Sequence, residues 1–410
     1  IAESETVRQS LKNSNVDTSD LIIVNSCAVT NEAVRQTRQA VRKAKKNNPD
    51  KNVVVTGCAA QIDPGMFERM PEADAVVGNF DKYDPANFKF GLNTNRSEIR
   101  VSDIMAVKET APHMVSAFTE RSRAFVEIQN GCDHRCTFCI IPYGRGNSRS
   151  VPAGQIVDQI KSLVNKGFNE VILTGVDVTS YGPDLPGKPS LGMLLERIVS
   201  NVPDLPRLRL SSVDGIEIDE RMFDLLTSEK RLMPHIHLSL QSGDDMILKW
   251  MKRRHNRDQA IDLVARLKSV RPEVAIGADI IAGFPTETDA MFENTLSIID
   301  EAGISFVHAF PFSPRTGTPA SKMPQMERSI VRRRAASLRE KGQAVLSQLL
   351  DSRIGMTEKV LVERNSLGRT AQFIPVDVAG QTHGTIVDLH ISKHDGKRLS
   401  GMIQSAVAAA

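Results

Sequence analysis

The sequence has no hydrophobic run long enough to cross a membrane, few aromatic residues and only five cysteines. Nothing approaches eighteen uninterrupted apolar residues, so we expect no membrane span, and no signal peptide is found. Aromatic residues make up 5% of the chain, which argues against extensive base stacking along a nucleic-acid strand. Five cysteines are an odd number without a disulfide framework, and this usage is typical of a reducing cytoplasm where thiolates bind metals.

The rest of the composition is that of an ordinary globular protein. The chain has 410 residues, of which 40% are hydrophobic and 25% charged. This length suffices for two or three domains with ample cores. The net charge of +3 is mild, so the distribution of the charges is more informative than their sum.

Three of the five cysteines lie in one short segment. Residues 130–146 read NGCDHRCTFCIIPYGRG, which gives Cys132, Cys136 and Cys139 a C-x3-C-x2-C spacing. Three thiolates on one loop can hold three irons of a [4Fe-4S] cluster and leave the fourth iron open to a small molecule. The alternative is a zinc loop, but structural zinc needs four ligands, and His134 has little room to complete a tetrahedron. The spacing therefore favours an iron–sulfur cluster.

The first part of the chain, residues 1–110, is predicted to be a small α/β domain. Short β-branched runs begin at Leu21 and Asn52, a third candidate strand covers Ala73–Asn79, and residues 31–48 have helical composition. Alternating strands and helices imply a parallel sheet, whose ligands bind at the carboxyl ends of the strands. Cys27 and Cys58 follow two of these strands directly, so we expect both at that edge.

The second part, residues 118–350, repeats a strand–helix pattern six times and predicts a partial (β/α)6 barrel. A barrel of this kind places its chemistry at the C-terminal ends of the strands, and the cysteine loop follows the first of them. The gap of an open barrel would admit a large substrate. The predicted strands start at Ala124, Val171, Arg207, Ile236, Ile276 and Phe306.

The last part of the chain changes character. Residues 326–350 are predicted to form one long basic helix. Three short alternating runs, Glu358–Glu363, Thr370–Val376 and Gly384–Ile391, then predict a small β-barrel over residues 353–403.

The cysteine loop resembles that of the radical S-adenosylmethionine enzymes, including Phe138 just before the last cysteine. The resemblance implies that the open iron binds S-adenosylmethionine and that Phe138 lies near its adenine. In enzymes of this family, segments at the strand ends touch the amino group, ribose and adenine of the cofactor. The corresponding cofactor-binding candidates here are Thr174, Gly175, Asp177, Ser211, Ser212, Gln241 and Ile281.

Two further motifs, NSCAVT at residues 25–30 and TGCAAQ at residues 56–61, resemble the N-terminal domain of the methylthiotransferases. That domain carries a second [4Fe-4S] cluster on three cysteines, which implies that Cys27 and Cys58 are two of its ligands. The family's first cysteine precedes the counterpart of residues 2–5, whereas this chain starts at Ile1. We therefore expect a truncated N-terminus and a second cluster site that lacks its third ligand. The C-terminal module is similar to the TRAM domain of RNA-modifying enzymes.

Among the branches of the family, the chain resembles the enzymes that act on N6-threonylcarbamoyladenosine at tRNA position 37. The motifs that carry this resemblance are HLSLQSGDD at 237–245, MKRRH at 251–255 and FPFSPRTGTPA at 310–320. The branch acting on isopentenyladenosine shares much of this, and the ribosomal-protein-modifying branch fits less well. Asp214 stands where the family often has a glutamate.

The resemblance also implies the reaction and the partners. One S-adenosylmethionine would methylate sulfur held on the second cluster, and a second would be cleaved to a radical that removes the hydrogen of adenosine C2. The implied partners are the tRNA anticodon stem-loop and an electron donor such as flavodoxin or ferredoxin. We predict no catalytic acid or base, because the cofactors carry the difficult step.

Basic residues cluster in three runs that could contact phosphates. We predict RNA contacts at Arg253, Arg254 and Arg333 from these runs, and at Arg145 after the cysteine loop, although each run could equally be a solvated helix face. A rival hypothesis is a non-catalytic tRNA-binding protein. The runs are Arg35, Arg38, Arg42, Lys43, Lys45 and Lys46; Lys249, Lys252, Arg253, Arg254 and Arg257; and Arg328, Arg332, Arg333, Arg334, Arg339 and Lys341.

Overall fold

The computed structural model describes residues 2–89, 98–108, 122–364 and 366–404. They form two compact units. The first contains the N-terminal α/β domain, the cysteine loop at 129–151 and the segment 313–323, and the second contains the remaining described residues. The predicted boundary between residues 110 and 118 lies outside the described residues. In the part of the chain that is described, no helix has the length and apolar character of a membrane span.

Helices and strands alternate along most of the chain. The helices are α1 (Ala2–Lys12), α2 (Asn31–Asn47), α3 (Cys58–Ile62), α4 (Pro64–Glu68), α5 (Ile141–Arg145), α6 (Ala153–Asn165), α7 (Leu191–Asn201), α8 (Glu220–Ser228), α9 (Asp245–Trp250), α10 (Arg257–Val270), α11 (Asp289–Glu301) and α12 (Arg328–Asp351). The strands are β1 (Leu21–Ser26), β2 (Asn52–Gly57), β3 (Ala75–Val77), β4 (Glu98–Arg100), β5 (Ala124–Glu127), β6 (Gln129–Asn130), β7 (Arg149–Ser150), β8 (Glu170–Thr174), β9 (Arg207–Leu210), β10 (Ser212–Val213), β11 (His235–Gln241), β12 (Ala275–Ala282), β13 (Ile304–Pro311), β14 (Thr357–Val362), β15 (Leu367–Arg369), β16 (Pro375–Asp377), β17 (Ile386–His394) and β18 (Leu399–Ile403).

The first unit is built on a parallel sheet of four strands in the order β1-β2-β3-β4. The valine run of β2 is fully buried because helices cover both faces of the sheet. Helix α2 begins at Thr30, whose hydroxyl accepts a hydrogen bond from the backbone N–H of Ala33. The predicted α/β character is confirmed, and β4 is a strand that the sequence analysis did not predict.

The second unit contains the partial (β/α)6 barrel that the sequence predicts. Its parallel strands lie in two sheets, β5-β8-β9 and β10-β11-β12-β13. The third predicted strand is shared between them, since β9 and β10 are separated only at Ser211. The helices bury apolar side chains at helical spacing, as Ile156, Ile160 and Leu163 do on α6.

The C-terminal module is a closed barrel of five strands in the order β14-β15-β16-β18-β17. The predicted strand over Thr370–Val376 is wrong for most of its length, because the chain turns through residues 370–374 before β16. Phe373 takes a positive φ of 69° there, a conformation that does not continue a strand.

This turn fixes the module to the N-terminal ends of the barrel strands. Arg209 donates to the backbone carbonyl of Ala371 (3.0 Å), and its guanidinium carbon lies 4.8 Å from the centre of the Phe373 ring. The same arginine pairs with the fully buried Glu170 (3.3 Å), which also pairs with Arg123 (2.8 Å). The β-barrel is therefore joined to the larger barrel by buried charges that are mutually neutralised.

Candidate active site

The cysteine loop carries three thiols and is held in place by backbone contacts at its base. Gly131 has a φ of 75°, and a Cβ there would collide with the carbonyl oxygen of Asn147, so this position requires glycine. Cys132 N–H donates to the carbonyl of Gly146 (3.1 Å), and Cys139 N–H donates to that of Cys136 (3.0 Å). The three cysteines form no disulfides and are all half-buried. Three thiols within eight residues, on a loop whose backbone is held in place, suit a three-thiolate iron–sulfur cluster.

The helix that follows the loop packs against Cys58. A Cβ on Gly144 of α5 would lie 3.1 Å from Cβ of Cys58. The Nδ2 of Asn79 donates to the carbonyl of Gly144 (2.7 Å) and lies 3.7 Å from the Cys58 sulfur. The first unit thus brings the exit of the three-cysteine loop against one of the two N-terminal cysteines.

Cys27 and Cys58 lie at the same edge of the N-terminal sheet, as predicted from their strands. The register pairs Ser26 with Gly57, so each cysteine follows the last paired residue of its strand. Cys27 is exposed and Cys58 is buried. Burial lowers the pKa of Arg315, and attraction to Cys27 opposes this shift, so a guanidinium lies close to that thiol. Two thiols at one sheet edge, one with a cation beside it, fit a site for an anionic metal–sulfur group.

Buried charges surround the Cys58 side of this edge. The Lys82 side chain is fully buried, donates to Oδ1 of Asn79 (2.6 Å) and pairs with Glu3 (3.1 Å). Burial lowers the pKa of Lys82, and attraction to Glu3 and Cys58 opposes this. Burial would raise the pKa of Glu3, but Arg145 and Lys82 lower it well below its usual range. Glu3 is therefore ionised, and a positive charge lies near Cys58.

This network changes the interpretation of Arg145. Its guanidinium donates to both carboxylate oxygens of Glu3 (2.6 and 3.1 Å) and to Asn130 (3.1 Å). A half-buried arginine with these partners holds the loop and α1 together, which gives Arg145 a structural role beside the predicted RNA contact.

The predicted cofactor residues of the second unit lie where its strands end. Thr174 and Gln241 are the last residues of β8 and β11, Ser211 and Ser212 lie at the junction of β9 and β10, and Ile281 is next to last in β12. Gly175 and Asp177 follow β8, and Asp177 accepts a hydrogen bond from the Ser180 hydroxyl (2.9 Å). Phe138 lies in the cysteine loop of the first unit.

Two of these residues have unusual features. The buried hydroxyl oxygen of Ser211 has no hydrogen-bond partner among the described residues. Gln241 has a φ of 72°, a strained value for a residue other than glycine. An unsatisfied buried polar atom and a strained backbone are each typical of functional sites, and both residues lie at strand ends where the cofactor is predicted to bind.

The predicted RNA contacts Arg253 and Arg254 both pair with carboxylates of the barrel. The Arg253 side chain is only 8% exposed and pairs with Asp214 (2.9 Å). Arg254 is more exposed and pairs with Glu217 (2.6 Å). Burial alone would raise the pKa of Asp214, but His255 and Arg253 lower it to about 2. This part of the basic run therefore stabilises the barrel.

Arg333 remains exposed on α12. Its neighbour Arg334 is buried and pairs with Glu287 (2.7 Å), so adjacent arginines have different roles. On α2, Arg35 pairs with Glu32 (2.5 Å) and Lys45 with Asp74 (2.9 Å). The exposed face of α12 keeps the positive charge that RNA phosphates require.

The sequence analysis missed one polar cluster in the barrel. His237, Asp279 and His308 come from β11, β12 and β13, and Asp279 lies within 3.0 Å of His237 and 3.4 Å of His308. The sequence pattern of the three strands could have indicated this cluster. Side chains alternate between the two faces of a strand, so residues at every second position of neighbouring parallel strands lie on the same face.

Comparisons with known proteins agree with this arrangement. Residues 126–299 match the radical SAM superfamily, and residues 2–78 match a family described as uncharacterized protein family UPF0004. Among solved structures, the radical S-adenosylmethionine methyltransferase TsrM from Kitasatospora setae, with cobalamin and a [4Fe-4S] cluster bound, is similar with a TM-score of 0.53 and 15% identity, covering 78% of this chain and 68% of that chain. At this identity the similarity establishes the shared fold.

Curated relatives match over most of their length. The threonylcarbamoyladenosine tRNA methylthiotransferase MtaB of Rickettsia prowazekii is 53% identical, covering 92% of this chain and 88% of the relative. The protein of the same name from Bacillus subtilis is 36% identical over 75% and 68% of the two chains. The tRNA-2-methylthio-N(6)-dimethylallyladenosine synthase of Rickettsia rickettsii is 31% identical over 95% and 92%. Identity of this extent, along a chain that carries the cysteine loop on a radical SAM fold, shows that the protein belongs to the family of threonylcarbamoyladenosine tRNA methylthiotransferases.

Proposed function

We propose that the protein catalyses methylthiolation of C2 of N6-threonylcarbamoyladenosine at position 37 of tRNA. The observation that carries this proposal is the 53% identity to the Rickettsia prowazekii methylthiotransferase along nearly the whole chain. The three thiols of the cysteine loop and the polar strand ends of the barrel supply the donor groups that such an enzyme needs.

The cysteine residues divide into two ligand sets. Cys132, Cys136 and Cys139 would hold a [4Fe-4S] cluster with one open iron, and Cys27 and Cys58 would contribute to a second cluster. When bound, the clusters and S-adenosylmethionine supply the radical chemistry needed to activate an aromatic C–H bond, which acid–base side chains do not reach at neutral pH.

The other residues of the chain bind and orient. The strand-end residues would contact the cofactor, with the free hydroxyl of Ser211 available as a hydrogen-bond donor. Lys82 and Arg315 place positive charge near Cys58 and Cys27, which would attract an anionic metal–sulfur group. The packing of α5 on Cys58 fixes the geometry of the two cysteine sets within one unit, and such positioning is a large part of enzymatic rate enhancement.

We assign three functional domains: residues 1–110 for the second cluster, 118–350 for the radical reaction and 353–403 for RNA binding. Arg333 on α12 is a predicted RNA contact that the structure leaves exposed. The proposed setting is the cytoplasm, where free thiols persist and a flavodoxin or ferredoxin can supply electrons.

The second candidate substrate is isopentenyladenosine in tRNA. It is favoured by the 31% identity to the dimethylallyladenosine synthase over 95% of this chain. The threonylcarbamoyl substrate is preferred because the relatives named for it are more similar, at 53% and 36%.

The test compares two cysteine variants in protein reconstituted anaerobically with iron and sulfide. Cys136→Ala should abolish release of 5′-deoxyadenosine from S-adenosylmethionine under dithionite, because it removes a ligand of the open-iron cluster. Cys58→Ala is the matched control, since it should retain this release and lose only the methylthiolated nucleoside in mass spectra of digested tRNA.

Two results would contradict the proposal. Wild-type protein that binds tRNA and never releases 5′-deoxyadenosine would support the non-catalytic RNA-binding alternative. Methylthiolation of isopentenyladenosine in place of the threonylcarbamoyl nucleoside would assign the second substrate.

A further inference from the structure

Three polar side chains lie together inside the barrel, and the proposed radical chemistry gives them no role. His237, Asp279 and His308 come from three adjacent parallel strands, and the register sets Asp279 opposite His308. Nε2 of His237 lies 3.0 Å and Nδ1 of His308 lies 3.4 Å from the same oxygen of Asp279. The two imidazole rings are 4.8 Å apart between centroids. We refer to these three residues as the polar wall.

The polar wall faces away from the helices that cover the strands. Val307, next to His308, packs against Gly342 of α12, and Ala278 and Ile280, on either side of Asp279, are fully buried. Since side chains alternate along a strand, the polar wall lies on the opposite, interior face. Gly277 leaves the necessary space, because a Cβ there would lie 2.5 Å from Nδ1 of His237.

The polar wall lies deeper in the barrel than the predicted cofactor residues. His237 precedes Gln241 by four residues on β11, and Asp279 precedes Ile281 by two on β12. At about 3.3 Å per residue, this places it roughly 7 to 13 Å below the strand ends. A group that enters the barrel mouth beside the cofactor would reach it.

The charges of the polar wall indicate what it can bind. Burial alone would raise the pKa of Asp279, but hydrogen bonds from His237 and His308 lower it to about 2, so the carboxylate is ionised. The His308 side chain is 58% exposed and directs Nδ1 to Asp279, which leaves Nε2 for a ligand. Two imidazoles share one carboxylate, so a second carboxylate can pair with the more exposed ring.

We propose that the polar wall binds the threonylcarbamoyl substituent of the substrate nucleoside, with His308 in its imidazolium form donating one hydrogen bond from Nδ1 to Asp279 and one from Nε2 to the carboxylate of the substituent. This inference rests on the proposed function. The substituent carries a carboxylate, a hydroxyl and a ureido group, whereas an isopentenyl group is a hydrocarbon and would leave these polar groups without partners. A site built for hydrogen bonds rejects a ligand that lacks them, so the polar wall would determine which nucleoside is accepted.

The test uses two synthetic anticodon stem-loops, one with N6-threonylcarbamoyladenosine and one with the corresponding threonine amide, in which the carboxylate charge is removed. For the wild-type holoenzyme, kcat/KM should fall about ten- to a hundredfold on the amide, as expected for one hydrogen bond to a charged group. His308→Leu should act on both stem-loops equally, and His308→Gln, which keeps a donor, should recover part of the preference. Arg221→Leu is the control, because it removes an exposed cation of α8 that pairs with Glu196 on α7, and it should keep the wild-type preference for the carboxylate.

The results separate the two proposals. A wild-type enzyme without activity on the threonylcarbamoyl stem-loop would overturn the proposed function itself. An active wild type whose preference for the carboxylate persists in His308→Leu would overturn this inference alone. If His308→Leu has no turnover, the ratio of its Kd values for the two stem-loops decides: a ratio near one supports the inference, and the wild-type ratio refutes it.

Discussion

Replacing Asp214 with asparagine tests whether the basic run after α9 stabilises the barrel or binds RNA. The carboxylate is almost fully buried and pairs with Arg253 at 2.9 Å and Arg254 at 3.5 Å. Asparagine has nearly the same shape but no charge. The substitution therefore removes the electrostatic contribution and changes the packing little.

The expected loss follows from the pKa of Asp214, which is lowered from 3.8 to about 2. One pKa unit corresponds to about 1.4 kcal/mol, so the ionised carboxylate contributes about 2 kcal/mol to the free energy of unfolding at neutral pH. Breaking a buried pair costs about 3–5 kcal/mol when the remaining charge has no other partner. Arg253 still donates to the carbonyl of Ser239 (2.7 Å), so we expect a value near 2 kcal/mol.

The pH dependence has a definite sign. Because the folded pKa is below the unfolded value of 3.8, the contribution of Asp214 is present above that value and is lost as the pH falls from 3.8 toward 2. Asp214→Asn should therefore be less stable than wild type at pH 7, and the difference should shrink at acid pH.

Urea unfolding followed by tryptophan fluorescence measures this effect. Trp250 is the single tryptophan of the chain and ends α9, three residues before Arg253, so it reports on this region. Equal midpoints for the two proteins at pH 7 would refute the stabilising role. If Asp214→Asn keeps its stability but binds tRNA more weakly, the result would support RNA binding by Arg253 and Arg254.

Two further predictions concern the second unit. Glu170→Gln should lower the free energy of unfolding by about 3–5 kcal/mol, because it removes the buried carboxylate that pairs with Arg209 and Arg123; an unchanged urea midpoint would contradict this, and Glu293→Gln on α11 is a control outside the cluster. Arg333→Gln should leave stability unchanged, weaken tRNA binding and lower the slope of log Kd against log salt concentration by about 1, whereas an unchanged slope in a filter-binding titration would remove Arg333 from the RNA contacts.

The sequence determined the elements that depend on local pattern. The strands of both α/β units follow from runs of β-branched residues, and the cysteine loop follows from its spacing. The position of Cys27 and Cys58 at one sheet edge also follows, since parallel strands bring their carboxyl ends together. The fold class was predictable for the same reason.

Tertiary packing decided the roles of the charged residues. A basic run gives no indication of which arginines have buried partners, so Arg145 and Arg253 were indistinguishable from Arg333 until Glu3 and Asp214 were found beside them. Glu3 and Arg145 are far apart in the sequence, so no local sequence pattern could have predicted that they pair. The turn at Phe373 was missed because alternating apolar residues predict a strand. Two of the arginines that lie over this ring, Arg123 and Arg209, come from another domain.

The sequence by itself thus determined that three thiols lie on one loop at the end of a barrel strand, because that depends on spacing alone. Only the tertiary structure showed that this loop packs with the N-terminal cysteines in one unit and that His237, Asp279 and His308 meet inside the barrel. The physical reason is that contacts between distant segments depend on how whole elements pack. The sequence of one strand does not specify which side chains of neighbouring strands will lie beside its own.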